Sequence, residues 1–252
     1  MLLSIIIPAH NEEKVIKKTL KNIKEHLNYT NLLEHQYEII VMCDACTDRT
    51  TEKALKGYSK VKLFHVHHKT ASLTRNEGVE KTSGQYLLFL DADTHILNKN
   101  TIKQSISLLK KNNEIKVVGS YWYSKEQPSG SLVYSFLTNW FLYFTNTCPG
   151  FYLCCRKNEF VPFKDNDKNE DIVWCKEMCG IDGKSFHFKD GEIQTSMRRL
   201  KKIGLIETMR FYTSKESFEM FMGILLKIVI ILIIIVIILY GNIHLYDLMH
   251  EN

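Results

Sequence analysis

Short, nearly unbroken apolar runs alternate with longer segments whose hydrophobic side chains recur every three to four positions through the first half of the chain. Leu2–Pro8 is the first run; its closing proline cannot continue a central ladder, so it predicts a buried strand that stops there. Val15, Ile16, Leu20, Ile23 and Leu27 then fall at helical spacing. They predict a helix over Glu12–Leu27 with one face on a sheet and Asn11 as its N-cap. Tyr37–Met42 predicts a second strand, Thr50–Gly57 a helix capped by Asp48, and Val61–Val66 a third strand. Thr70–Lys81 predicts a helix with Arg75 and Asn76 near its start, and Tyr86–Leu90 a fourth strand buried on both faces. Thr101–Lys111 follows as an amphipathic helix with Ile102, Ile106 and Leu109 inward, and Glu114–Tyr121 as another strand. Strand–helix alternation with short loops predicts an α/β fold, a mostly parallel, twisted central sheet with helices on both faces.

One run is of a different kind. Met220–Tyr240 reads MFMGILLKIVIILIIIVIILY, with the single charge Lys227 near its amino end. At about 1.5 Å rise per residue this covers a hydrocarbon core of about 30 Å, which predicts one C-terminal transmembrane helix with Lys227 snorkelling outward. The segment before it carries Arg198, Arg199, Lys201, Lys202, Arg210 and Lys215, whereas Gly241–Asn252 has neither Lys nor Arg. The positive-inside rule then predicts a single-pass membrane protein with its main domain cytoplasmic and a short tail outside. The expected parts are a domain over 1–217, a transmembrane helix over 218–240 and an extracytoplasmic tail over 241–252. Ser131–Thr147, with Tyr134, Phe136, Trp140, Phe141, Tyr143 and Phe144, reads either as a buried helix or as a helix lying against the bilayer.

Composition narrows the class. The chain has 252 residues, 45% hydrophobic and 24% charged, which suits one large globular domain plus an appendage. A formal charge of +5 with no RNP, zinc-finger or helix-turn-helix signature argues against a nucleic-acid partner. MLLSIIIPAHNEE lacks a basic leader and reads as a first strand rather than a signal peptide. The seven cysteines are then expected to stay reduced; Cys43/Cys46 and Cys175/Cys179 read better as buried thiols than as zinc ligands.

Three predicted strands end in polar clusters at one sheet edge: Pro8–Glu12, Asp44–Asp48 and Asp91–Asp93. That edge is where open α/β sheets bind ligands, and three clusters there describe a cleft for a polar, phosphorylated molecule. Asp91 and Asp93, spaced i, i+2 on a turn, can both approach a hard divalent cation that takes its other ligands from water and substrate phosphates. A solvated Asp pair opening a turn is the plainer alternative. Asn169-Glu170-Asp171 opens a further helix, where acidic residues also favour the dipole.

IIIPAHNEE, VMCDACTDRT, TRNEGVEKTSGQYLLFLDADT and NEDIVW, in that order, resemble the family 2 glycosyltransferases of GT-A fold over about Ser4–Arg199. The resemblance implies a Rossmann-like GT-A domain over 1–217 and an inverting enzyme that moves a sugar from a nucleotide-diphosphate donor to an acceptor hydroxyl. It places Pro8, Ala9 and Glu12 beside the nucleotide, Asp44 on the nucleobase, Arg75 near the diphosphate, and Asp91 near the ribose and metal. Asp93 would be the principal ligand of Mn²⁺ or Mg²⁺, Asp171 the general base and Glu170 its orienting neighbour. A general base is what inversion requires, since a carboxylate must take the acceptor's proton as it attacks. Gly150 and Arg156 match the pattern of the acceptor side. Ser196-Met197-Arg198-Arg199 resembles a late S-x-R-R motif, whose arginines would clamp the diphosphate or meet anionic lipid. His187, in the alternating run SFHFK, is either a third metal ligand or a structural residue. A lipid-linked acceptor at the membrane is plausible on this reading. The rival is a catalytically inactive scaffold on the same fold. A related nucleotidyltransferase is disfavoured, because Pro8–Glu12 is not a Gly-rich basic loop.

Overall fold

The computed structural model describes residues 1–122, 138–139, 142, 146–165, 169–196 and 201–202, all within one compact unit, Met1–Lys202. Its centre is a sheet of eight strands. β1 (Leu3–Ala9), β2 (Tyr37–Asp44), β3 (Lys62–Val66) and β4 (Tyr86–Leu90) are followed by β5 (His95–Ile96), β6 (Ile115–Trp122), β7 (Tyr152–Arg156) and β8 (Lys184–Gln194). The helices are α1 (Ile16–Leu27), α2 (Thr50–Gly57), α3 (Ala71–Glu80), α4 (Thr101–Lys111) and α5 (Glu170–Cys179). The strand order is β3-β2-β1-β4-β7-β6-β8-β5.

The first half follows the hydrophobic pattern. β1, β2, β3 and β4 pair in parallel, with Leu3 opposite Tyr37 and Tyr86, and β1 and β2 are buried nearly throughout. The second half departs from a mostly parallel sheet. β7 runs antiparallel to both β4 and β6, and β5 antiparallel to β8, so the sheet is mixed.

Helix starts show a second departure. α1 begins at Ile16 rather than Glu12, because Asn11 takes a left-handed conformation (φ 55) and turns its carboxamide oxygen toward the β2–α2 loop. There it accepts from the Thr47 N–H at 2.8 Å and the Asp48 N–H at 3.3 Å, so it ties two loops together instead of capping a helix. The N-cap of α2 is Arg49; Asp48, one residue before it, serves the helix start instead, its Oδ1 accepting from the Thr50 N–H at 2.9 Å. α3 lies close on the sheet: a Cβ at Gly78 would stand 2.6 Å from Ile6 Cγ2. Six of the seven cysteines are buried and all seven are free thiols; burial pushes the Cys154 thiol up to about 12.

Under the sheet, Phe89, Phe160, Phe163 and Trp174 form one aromatic cluster, with Phe163 and Trp174 stacked at 4.5 Å between centroids. The Trp174 indole N–H donates to the Val161 carbonyl at 2.6 Å, so the buried ring leaves no orphan donor. This cluster fixes the segment Phe160–Phe163 and the start of α5 against β4, which determines where Glu170 and Asp171 lie. No helix among the described residues is long and apolar enough to cross a membrane. The expected span 218–240, the tail and most of Ser131–Thr147 lie outside the described residues.

Candidate functional site

Parallel pairing of β1, β2 and β4 brings Pro8-Ala9, Asp44 and Asp91 to one edge of the sheet. α3 starts beside that edge, with the Thr70 hydroxyl accepting from the Leu73 N–H. One turn further on is Arg75, which is only 3% exposed and so is not a surface helix charge. Its Nη2 donates to Asp91 Oδ1 at 3.0 Å and its Nη1 to Glu170 Oε1 at 3.1 Å. One guanidinium therefore joins the end of β4 to the start of α5, ninety-five positions away. The Phe163 ring lies 5.4 Å below the guanidinium and is itself backed by Trp174, which orients the fork. Arg75 Nε is buried with no hydrogen-bond partner among the described residues.

Asp171 comes from the same helix start. Its Oδ2 accepts from the Gly150 N–H at 2.6 Å and its Oδ1 from the Ile172 N–H at 2.9 Å. A Cβ at Gly150 would lie 3.2 Å from both Arg75 Nη2 and Asp171 Oδ2, so this turn has room only for glycine or for displaced neighbours. Burial, and then the charge of Glu170, push the Asp171 carboxyl up to about 6, with Arg75 and the two backbone N–H groups pulling the other way. Asp91 is pushed up to about 7, first by desolvation; Arg75 opposes that rise and the Asp93 and Glu170 charges add to it. Burial works against the charge on Arg75, yet Asp91, Glu170 and Asp171 hold its pKa above the ordinary value.

Among the described residues, Asp91, Glu170 and Asp171 thus gather around the Arg75 guanidinium with Asp93 beside Asp91, so carboxylates outnumber cations there. Among the described residues no three His, Cys, Asp or Glu side chains form a closed metal cage. Two carboxylates on a turn, in a region of surplus negative charge, fit a hard cation that completes its shell with water and phosphate rather than protein.

The neighbouring loops are tied inward. Asp44 is 5% exposed; its Oδ1 accepts from the Lys69 N–H at 3.0 Å and its Oδ2 from the Thr74 hydroxyl at 2.9 Å. Asp44 therefore orders the β3–α3 connection, and each oxygen retains a further lone pair. His10 Nδ1 lies 2.7 Å from the Asp44 carbonyl oxygen, and the Glu12 N–H donates to the Thr50 hydroxyl at 2.7 Å.

Arg156 is the expected site residue that the fold carries away. Because β7 is antiparallel to β4, Arg156 pairs with Tyr86 at the start of β4, and Tyr152 with Leu90 at its end. The Arg156 guanidinium binds the carbonyls of Ile115, Leu109 and Asn112 and the Glu159 carboxylate, so it latches α4 and β6 to β7. Gly150 and Phe151, just before β7, reach the cleft end instead. Arg198 and Arg199 lie outside the described residues, as does the His187 side chain, whose backbone belongs to β8 opposite Gly119. Asn76 was not singled out for a role. Its carboxamide donates to the Phe163 carbonyl and accepts from the Phe163 N–H, both at 2.8 Å, and so holds the aromatic under Arg75. The legible signal was an amide adjacent to the site arginine.

A sequence profile described as Glycosyl transferase family 2 matches residues 4–167, well over half of the chain. The UDP-Glc:alpha-D-GlcNAc-diphosphoundecaprenol beta-1,3-glucosyltransferase WfgD of Escherichia coli is 32% identical over 122 residues, 48% of this chain and 46% of that protein. Mannosyltransferase PcManGT from Pyrobaculum calidifontis, solved with GDP-Man and Mn²⁺, superposes with a TM-score of 0.62 at 14% identity, covering 76% of this chain and 56% of that one. S. aureus TarS 1-349 with UDP-GlcNAc gives 0.58 at 20% identity, covering 77% and 58%. The chain spans about half the length of these relatives. At such identities the structural likeness shows the fold, a mixed α/β sheet of GT-A type.

Proposed function

This chain belongs to glycosyl transferase family 2, and on that premise we propose that it is a membrane-anchored, inverting glycosyltransferase. It moves a sugar from a nucleotide-diphosphate donor to the hydroxyl of a lipid-linked or glycan acceptor at the cytosolic membrane face. The observation that carries this reading is the Arg75 bridge, which brings Asp91 and the Glu170-Asp171 pair onto one cleft with Gly150 between them.

Asp171 accepts the acceptor's proton as that oxygen bonds to the anomeric carbon, while the bond from this carbon to the diphosphate oxygen breaks on the opposite face. The electron pair leaves with the nucleoside diphosphate, which needs no proton, and the configuration inverts. The pKa of about 6 suits a base that must be ionised yet basic at neutral pH. Arg75, paired with Glu170, opposes the rise that this second negative charge gives the Asp171 pKa. Asp91 and Asp93 would hold Mn²⁺ or Mg²⁺, which neutralises the leaving group's charge when bound. Pro8, Ala9, Glu12 and Asp44 border the nucleoside, and Arg198 and Arg199 meet the diphosphate or the bilayer.

The relatives support the substrate classes. WfgD's name gives UDP-Glc as donor and a diphosphoundecaprenol-linked acceptor, and the TarS and PcManGT structures hold UDP-GlcNAc and GDP-Man. The membrane attachment rests on the Met220–Tyr240 run and the charge asymmetry around it. Melting of the detergent-solubilised protein with UDP, GDP and their sugars, with and without Mn²⁺, tests the donor site. Metal-dependent stabilisation by one nucleotide is expected. No shift with any of them would favour the inactive-scaffold alternative.

A further inference from the structure

One side chain of α1 reaches the Asp91–Asp93 turn and a second the strand just after it, and the role assigned to the cleft above uses neither. Thr19 is fully buried, and its hydroxyl donates to the Ala92 carbonyl at 2.7 Å. Three residues on, and so on the same helix face, the Asn22 carboxamide accepts from the Ile96 N–H at 2.7 Å and donates to the Ile96 carbonyl at 2.9 Å. Asn22 thereby pairs with the first residues after the turn as a strand would. The turn's other backbone bonds run from the Asp91 N–H to the Phe151 carbonyl at 3.3 Å and from the Thr94 N–H to the Asp91 carbonyl at 3.1 Å. The Thr19 bond adds a hold on the peptide between Ala92 and Asp93.

That peptide decides where Asp93 points. Ala92 is 4% exposed, so water is poorly placed to replace the Thr19 hydroxyl. Its carbonyl is held against α1, whereas Asp91 and Asp93 on either side are both partly exposed. Without that bond the buried carbonyl is left unpaired, and rotating the peptide to find another partner swings Asp93 away. We propose that Thr19 is a positioning residue for the cation-binding turn, pinning the Ala92 carbonyl so that Asp91 and Asp93 face the cleft together, with Asn22 fixing the chain's exit. The proposal rests on the assignment of Asp91 and Asp93 as cation ligands.

Thr19→Val removes the hydroxyl at little change in shape, and Thr19→Ser keeps it. The full chain in detergent is titrated with Mn²⁺ in the presence of UDP or GDP, free Mn²⁺ is read by electron paramagnetic resonance, and each variant's Tm is measured beside it. Thr19→Val is expected to weaken Mn²⁺ binding about tenfold, roughly what one lost buried hydrogen bond is worth, with Thr19→Ser close to wild type. A lowered Tm with unchanged Mn²⁺ affinity would make Thr19 merely structural and overturn the proposal. If Thr19→Val does not fold, Asn22→Ala at a half-buried position carries the test, with weakened Mn²⁺ binding expected and unchanged affinity contradicting it. Wild-type protein that retains no Mn²⁺ with either nucleotide would show instead that the cation assignment itself fails, and the proposal with it.

Discussion

Among the described residues, Arg75 faces the carboxylates of Asp91, Glu170 and Asp171, and its guanidinium stabilises their gathering. Removing it in Arg75→Met leaves Asp91 and Glu170 facing each other partly buried, and a broken pair of this kind costs about 3 kcal/mol. The expected result is a lower Tm together with loss of nucleotide-induced stabilisation. Arg75→Lys should rescue little, because an ammonium cannot fork to both carboxylates; recovery of both properties by lysine would contradict the bridge. Asp171 gives a pH prediction. A base must be ionised to act, and its pKa is raised to about 6, so transfer should fall as pH is lowered through about 6. An unperturbed Asp would place that limb near pH 4, roughly two units lower. The pH dependence of kcat/KM decides between the two.

Among the elements, α3 does most to assemble the site, since consecutive residues Arg75 and Asn76 reach the carboxylates and the Phe163 backbone. β7 shows the limit of reading roles from motif order. A basic residue after a Gly-containing turn looked like an acceptor contact, but antiparallel pairing sends Arg156 to the far end of the sheet. Arg156→Ala is accordingly expected to lower the Tm while leaving the acceptor KM unchanged. A raised KM at unchanged Tm would return Arg156 to the cleft. Beneath the sheet, Glu38 links β2 to its neighbours: its carboxylate takes bonds from the Ser4 and Ser83 hydroxyls, the Ser83 N–H and the Lys62 ammonium. Burial works against its ionisation, yet Lys62, Ser4 and Ser83 outweigh it and hold the pKa at about 2 against an ordinary 4.5. The sign follows directly. This stabilisation, about 3 kcal/mol by linkage, is fully present above pH 4.5 and is lost as pH falls toward 2. Glu38→Gln should melt lower than wild type at pH 7, and the gap should close on acidification. A gap independent of pH would rule the linkage out.

For the molecule as a whole, the half built from βα units was legible in the sequence. Leu2–Pro8, Tyr37–Met42 and Tyr86–Leu90 are buried on both faces, so their apolar runs carry the signal, and their polar ends fall at one edge because parallel strands align them. In the other half Glu114–Tyr121 was legible as the strand β6, but the antiparallel placement of β7 was not, because an apolar run does not reveal the direction in which it pairs. Asn11 misled for a related reason: a capping residue type was read as a helix start, whereas its left-handed backbone serves the adjoining loop. At this scale the membrane reading also has its test. Full-length protein should stay with membranes after alkaline carbonate extraction, and a chain ended at residue 217 should be released. Release of the full-length protein would contradict an anchor over 218–240. Transfer turns on Asp171, and the most direct measurement is the rate of transfer by Asp171→Asn beside its affinity for the donor. Loss of transfer by at least about a hundredfold, with donor affinity retained, is the predicted result. Transfer at a near wild-type rate would show that Asp171 is not the base.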